Sequence, residues 1–116
     1  MGQMVQLTTA DGHTLDAYQA DPAATPKGGL IIIQEVFGIT GHVRRLTDSF
    51  AEAGYMALCP DIFWRQEPGI QLSDQTEEEW ARAFELFNGF DLDKGVQDIG
   101  STIEALRSLD GCSGKV

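Results

Sequence analysis

The sequence predicts an α/β fold in which an antiparallel hairpin leads into parallel strands joined by crossover helices. Three observations carry this. Leu30 to Ile33 is apolar and continuous rather than alternating, as in a parallel strand covered on both faces. A helical period and a second short apolar run follow it, which is the order of a βαβ unit. A long stretch of helical period then leads to the last residues.

Val5 and Leu7, and then Leu15 and Ala17, alternate on either side of Asp11-Gly12, so the chain should begin with a hairpin. "DPAATPKGG" (21–29) holds two prolines and two glycines and reads as a loop. After the strand at 30–33 and the loop "FGITG", Val43, Leu46, Phe50 and Ala53 recur on one face of a helix, which Gly54 should end in the left-handed conformation. Tyr55 to Pro60 is the next short strand, and "DIFWRQEPGIQLSD" (61–74) is a long irregular loop of the kind that serves a site.

Thr76 and Glu79 form a capping box, after which Trp80, Ala83, Phe84 and Phe87 share a helix face. A second periodic helix runs from Asp91, with Val96, Ile99, Ile103 and Leu106 on one face and Gly111 past its end. Gly95 and Gly100 inside it each cost about 1 kcal/mol against alanine. Close approach of that helix to a sheet, or a frayed first turn at Gly95, accounts for them. "CSGKV" then reads as a turn and the first step of another strand, so the α/β alternation is expected to be cut in mid-motif.

The 116 residues bound one domain. An excess of 18 acidic over 8 basic residues, net charge −10, argues against a nucleic-acid partner, because nothing here neutralises a row of phosphates. "MGQMVQLTTADGHTL" has no basic or apolar segment of a signal peptide, and no apolar run approaches a membrane span. Cys59 and Cys112 form neither a metal spacing nor a disulfide framework, so a reduced, cytoplasmic protein without metal or cofactor is expected.

The chemistry is sought at the strand exit. Ligands of parallel α/β sheets bind beyond the carboxyl ends of strands, where "QEVFG" places Glu35. A carboxylate partly buried against Phe37 is suited to take a proton from a nucleophile. A solvated glutamate fits the same position. The backbone at Val36 and Phe37 leaves N–H groups free, as stabilisation of an oxyanion requires, although an ordinary β–α connection does so too. Gly38 and Gly41, ahead of Arg44 and Arg45, suggest a phosphate cradle, but the motif matches no Walker loop and Glu35 would repel the anion.

Cys112 and Ser113 lack the flanking glycines of a nucleophile elbow and read as turn residues. His13 and His42 have no partner at hydrogen-bonding spacing and read as structural. Cys59 reads as a buried small apolar residue. Trp64, Trp80, Phe84 and Phe87 serve equally as pocket wall or as plain core.

"IIIQEVFGITGHVRRLTDSFAEAGYMALCPDIFWRQEPG" and "FELFNGFDLDKGVQDIGSTIEALRS" together resemble the N-terminal half of the dienelactone hydrolase (carboxymethylenebutenolidase) family. The resemblance implies that 1–116 is the N-terminal half of a single α/β-hydrolase domain, with no second domain, truncated before the nucleophile elbow. It implies a carboxylic ester (lactone) hydrolase with a Cys-Asp-His triad, none of which is in this chain, so the chain alone should be inactive.

Glu35 matches the family glutamate that accepts the thiol proton, and Val36 the residue whose N–H is an oxyanion donor. Phe37, Phe84 and Phe87 match substrate-pocket aromatics. The arginine that grips the substrate carboxylate aligns with Trp80, a departure from the dienelactone pattern. The implied partners are a small ester or lactone and either the missing half or a second copy, held through an exposed edge at 30–33. A non-catalytic α/β binding or partner domain of the same fold is the alternative.

Overall fold

Asp11 and Gly12 turn the chain between antiparallel strands β1 (Gln3–Thr8) and β2 (Thr14–Ala20), which set Val5 opposite Ala17 and Leu7 opposite Leu15. The expected hairpin is present in the computed structural model, which describes residues 2–109, 111, 112 and 114–116. Asp110 and Ser113, part of the expected terminal turn, lie outside the described residues.

β3 (Gly29–Ile31), α1 (Gly41–Glu52) and β4 (Met56–Pro60) form the predicted βαβ unit, with β3 and β4 parallel. The sheet order is β1-β2-β4-β3, and β4 also pairs antiparallel with β2. This makes β4 a central strand, and all five of its residues are buried. Strand alternation sorts them: Ala57 and Cys59 join Tyr18, Val43 and Ala51 on the α1 side, whereas Met56 and Leu58 join Leu15, Ala17 and Leu106 on the other. Leu106 belongs to α3 (Leu92–Arg107), so helices cover both sheet faces.

β3 is shorter than the predicted 30–33 strand. Its ladder with β4 ends at Ile31, and only the Ile32 N–H still reaches the Leu58 carbonyl, at 2.9 Å. Ile33 is 49% exposed rather than covered on both faces. On the outer side of β3, Gly29 N–H donates to the Lys115 carbonyl at 2.7 Å, so the last residues run beside β3 where the sequence suggests a further strand.

The helices form where expected but present different faces. Thr40 caps α1, its hydroxyl accepting the Val43 N–H, and Gly54 follows the helix with φ +106°. The buried residues are Val43, Thr47 and Ala51, while the expected Leu46 and Ala53 are exposed. Thr47 can be buried because its hydroxyl donates to the Val43 carbonyl at 2.8 Å.

In α3 the buried positions are Gly95, Asp98, Thr102 and Leu106; of the expected face only Leu106 is fully buried, and Val96 is exposed. Gly95 is needed where a Cβ would come within 2.1 Å of the Phe90 ring, not of a sheet, and Gly100 meets nothing within 4 Å. α2 (Glu77–Asn88) buries Ala83 and Leu86 against the loop that follows β4. No helix among the described residues is long and apolar enough to cross a membrane.

Candidate active site

As β3 ends, alternation turns Gln34 inward and Glu35 outward. The buried Gln34 accepts the Ile62 N–H on its Oε1 at 3.1 Å and donates from Nε2 to the Glu35 carbonyl at 3.2 Å. This ties the strand exit to the loop after β4. That loop is itself held by Asp61, whose buried carboxylate accepts N–H groups of Gly69 at 2.8 Å and Phe63 at 3.3 Å. Burial pushes the Asp61 carboxyl above its ordinary range, with these two N–H groups acting against the rise.

Gly38 then reverses the chain at φ +88°, its N–H donating to the Glu35 carbonyl at 3.1 Å. A Cβ here would sit 1.9 Å from the Ile70 carbonyl oxygen. The Gly38 N–H is therefore occupied within the turn, which removes it from the phosphate cradle considered above. Among the described residues no acceptor takes the Val36 N–H.

The Glu35 side chain is 61% exposed, so the burial against Phe37 expected from sequence is not found. It faces two hollows. One, of about 210 Å³, is lined by Gln34, Glu35, Val36, Ile62, Phe63, Phe87 and Phe90. The other, of about 390 Å³, is lined by Glu35, Phe37, Thr40, His42, Leu72, Ser73 and Asp74. A larger groove of about 730 Å³ lies away from Glu35, between the β1–β2 turn and α3, and is lined mostly by small side chains together with Gln97 and Glu104.

Three of the site residues expected from sequence meet at the smaller hollow: Glu35, Val36 and Phe87. Phe37 lies on the other hollow and touches Trp80 edge-on at 5.0 Å, and Trp80 stacks on Phe84 at 5.7 Å. These aromatics are not core: Trp80, Phe84 and Phe87 are 40, 53 and 57% exposed, because α2 turns Ala83 and Leu86 inward instead.

Trp80 is fixed by its indole N–H, which donates to the Asp74 carbonyl at 2.9 Å. Thr76 caps α2 as expected, accepting the Glu79 N–H. The Glu79 carboxylate, however, reaches past the cap to the Ser73 N–H and hydroxyl, at 2.6 and 2.7 Å. These bonds draw the Glu79 carboxyl below its usual range and pin one wall of the larger hollow.

Two residues of the site were not found by sequence reasoning. Gln34 carries no periodicity signal, because a buried amide is recognisable only by its partner Ile62. His42 reads as structural in the sequence, yet its Nε2 lies 3.7 Å from Glu35 Oε1, an ion-pair distance once the imidazole is protonated. The fold-back at Gly38 makes that meeting. His13 stays away from the site, 3.4 Å from Asp11.

No cysteine lines either hollow. Cys59 is fully buried, and burial pushes its thiol up to about 12, as suits an inert core residue. Among the described residues no group of three or more His, Cys, Asp or Glu is arranged to hold a metal ion.

The family model described as "Dienelactone hydrolase family" matches residues 15–116. A protein of Azospirillum brasilense, provisionally named a carboxymethylenebutenolidase, is 50% identical over 91 residues, which are 78% of this chain and 39% of that protein. The carboxymethylenebutenolidase of Pseudomonas putida is 35% identical over 97% of this chain and 48% of its own length. A Klebsiella pneumoniae crystal structure, provisionally titled a dienelactone hydrolase, matches with TM-score 0.76 at 23% identity, covering 98% of this chain and 47% of that one. The chain thus spans less than half the length of these relatives.

Proposed function

The chain belongs to the dienelactone hydrolase family, and from that membership we propose that it carries the proton-accepting and oxyanion-binding part of a carboxylic ester (lactone) hydrolase. The observation that carries the reading is the junction at Glu35–Val36. Glu35, with an exposed carboxylate, and Val36, whose backbone N–H has no acceptor among the described residues, are adjacent at a strand exit and both line the same apolar hollow. Glu35 accepts the proton of an attacking thiol, and the Val36 N–H donates to the oxygen that gains charge as the acyl carbon becomes tetrahedral. Phe87 on the smaller hollow and Phe37 on the larger one supply apolar wall for the acyl group, while Phe84 lines neither hollow and extends the aromatic surface through its stack on Trp80.

The thiol is not among the residues around Glu35. Cys59 is sealed in the core and Cys112 packs against the cluster under α3. The reading therefore assigns the nucleophile to the part of the fold that the relatives contain beyond the matched half. In this account the chain is the N-terminal half of the catalytic domain and does not hydrolyse esters by itself.

The test is an assay of activated esters with this chain alone and with it joined to the remaining half of the Azospirillum brasilense relative. Turnover is expected only in the joined form, and Glu35→Gln should lower its kcat by about 10²- to 10⁴-fold, the usual span for a positioned acid or base. Turnover by the chain alone, or a joined form indifferent to Glu35→Gln, contradicts the proposal. The second outcome would favour a binding domain that keeps the hydrolase frame.

A further inference from the structure

Asp61 follows the last residue of β4, is 2% exposed and lines neither hollow, so it is a buried acid that the proposed chemistry does not use. Its two oxygens take separate N–H groups. Oδ1 accepts that of Phe63 at 3.3 Å and Oδ2 that of Gly69 at 2.8 Å, which closes the intervening stretch into a loop. The Asp61 N–H donates to the Asp16 carbonyl of β2 at 2.9 Å, so this clasp is anchored to the sheet.

The closed loop holds the turn from Glu35 to Gly38 from both sides. Beside Asp61, the Ile62 N–H donates to Gln34, whose amide in turn donates to the Glu35 carbonyl. Beyond Gly69, the Ile70 carbonyl abuts Gly38, Gln71 bridges to Gly38, and the Leu72 N–H donates to the Phe37 carbonyl at 2.8 Å. Each of these contacts starts close in sequence to a group that the carboxylate holds.

The charge of Asp61 matters to the clasp, because hydrogen bonds to a carboxylate are roughly twice as strong as neutral ones. Burial raises its carboxyl above the ordinary 3.8, the Gly69 and Phe63 N–H groups oppose the rise, and Asp16 of β2, a like charge, adds to it. Cys59 of β4 also faces it and stays a neutral thiol, pushed up to about 12. In the loop itself Arg65 is committed to Asp98 and Asp11, and Glu67 to Arg82.

From this connectivity we infer that Asp61 is a positioning residue for the proton acceptor: its ionised carboxylate closes the loop after β4, and the closed loop sets the turn that carries Glu35 and Val36. The inference rests on the hydrolase reading for the words proton acceptor. The clasp rests on the hydrogen bonds alone.

Stepwise acidification of the isotopically labelled chain reads the clasp without any turnover. The Gly69 and Phe63 amide resonances should shift as Asp61 takes up its proton, with a midpoint above 3.8, and the Val36 and Gly38 amides should follow with the same midpoint. The titration is run in Glu35→Gln, which takes the adjacent carboxyl out of the readout. The folded-state proton affinity is raised, so the contribution of Asp61 to stability is fully present below 3.8 and is lost as the pH rises through the folded value. Its protonation should therefore loosen the turn while the fold is retained. Asp61→Asn keeps the size and one acceptor oxygen without the charge, and should abolish the shared titration.

In the joined enzyme Asp61→Ala should lower kcat by about 10²-fold, the order that a misplacement of about 1 Å costs, with a smaller change in KM, and Asp61→Asn should recover part of the loss. Val36 and Gly38 amides that ignore the Gly69 titration, or a shared titration that persists in Asp61→Asn, overturn the inference. Where Asp61→Ala does not fold, the titration with Asp61 in place decides. If the joined enzyme hydrolyses esters and a folded Asp61→Ala keeps the parental kcat, the inference fails and the hydrolase reading stands. If these amides titrate together and no ester is ever turned over, the hydrolase reading fails and the clasp stands.

Discussion

Arg65 joins three stretches of chain that are far apart in sequence. Its guanidinium donates twice to Asp98 of α3, at 3.0 and 2.9 Å, and once to Asp11 of the hairpin turn, at 2.9 Å. Its plane also lies 4.5 Å from the Trp64 ring centroid, and the Trp64 indole N–H donates to the same Asp98 carboxylate. Asp98 is 1% exposed, so removal of the cation leaves a buried charge with a single neutral donor. Arg65→Ala should therefore destabilise the fold by about 3 kcal/mol or more in urea melts. A loss no larger than that of an ordinary surface substitution would show the network to be incidental.

Asp11 supplies the pH dependence of the same network. Arg65 first, and Thr9 and His13 after it, hold its carboxyl well below the ordinary value of 3.8. The folded-state proton affinity is depressed, so the contribution is present above about pH 3.8 and fades as the pH falls below it. Asp11→Asn should flatten the acid limb of the stability profile in that window and leave its neutral limb parallel to the parent's. A parallel acid limb would contradict this. None of the network is legible in the sequence, where Asp98 looks like a solvent-side residue of an amphipathic helix. Its burial depends on an arginine 33 positions away.

At the scale of elements, the hairpin, the caps and the helix limits were legible because each is specified within a few residues. Asp11-Gly12 makes a turn, Thr76 and Asp91 cap the next helices, and Gly54 follows α1. Helix faces were less legible, because apolar spacing alone cannot show that Thr47, Asp98 and Thr102 find hydrogen bonds inside. α2 gives the sharpest case. Its aromatic residues served equally as pocket wall or core in the sequence, and the structure exposes them while Ala83 and Leu86 are fully buried.

Leu86→Ala should accordingly cost about 2–5 kcal/mol, while Phe84→Ala should change stability by less than about 0.5 kcal/mol, as measured by thermal or urea unfolding. Equal losses would return Phe84 to the core. The loop carrying Glu35 has its own pivot at Gly38. Alanine there must adopt φ +88° and clash with the Ile70 carbonyl, so Gly38→Ala should destabilise by more than about 1 kcal/mol and displace the site. A variant with parental stability would contradict that geometry.

For the whole molecule, sheet order decides behaviour. β3 is the edge strand of β1-β2-β4-β3, its Gly29 N–H donates outward to the Lys115 carbonyl, and Ile33 beyond it is exposed. An apolar edge of this kind templates further pairing. The isolated chain should self-associate with rising concentration in sedimentation experiments, and Ile33→Lys should reduce the association. A concentration-independent monomer would remove the edge from the account. The strand pattern announced an α/β sheet, but the placing of β4 between β2 and β3 has no local signature, since pairing partners are chosen by the assembled core.

The same sheet brings Glu35 and the Val36 N–H to an open strand exit, and the account stands on their service to a thiol from the other half of the fold. The most direct measurement is the pH dependence of alkylation of that thiol in the joined enzyme, with and without Glu35→Gln. The account predicts that Glu35→Gln slows alkylation at neutral pH and moves the midpoint up toward the free-thiol value of about 8.5. Identical profiles for the two proteins would contradict it.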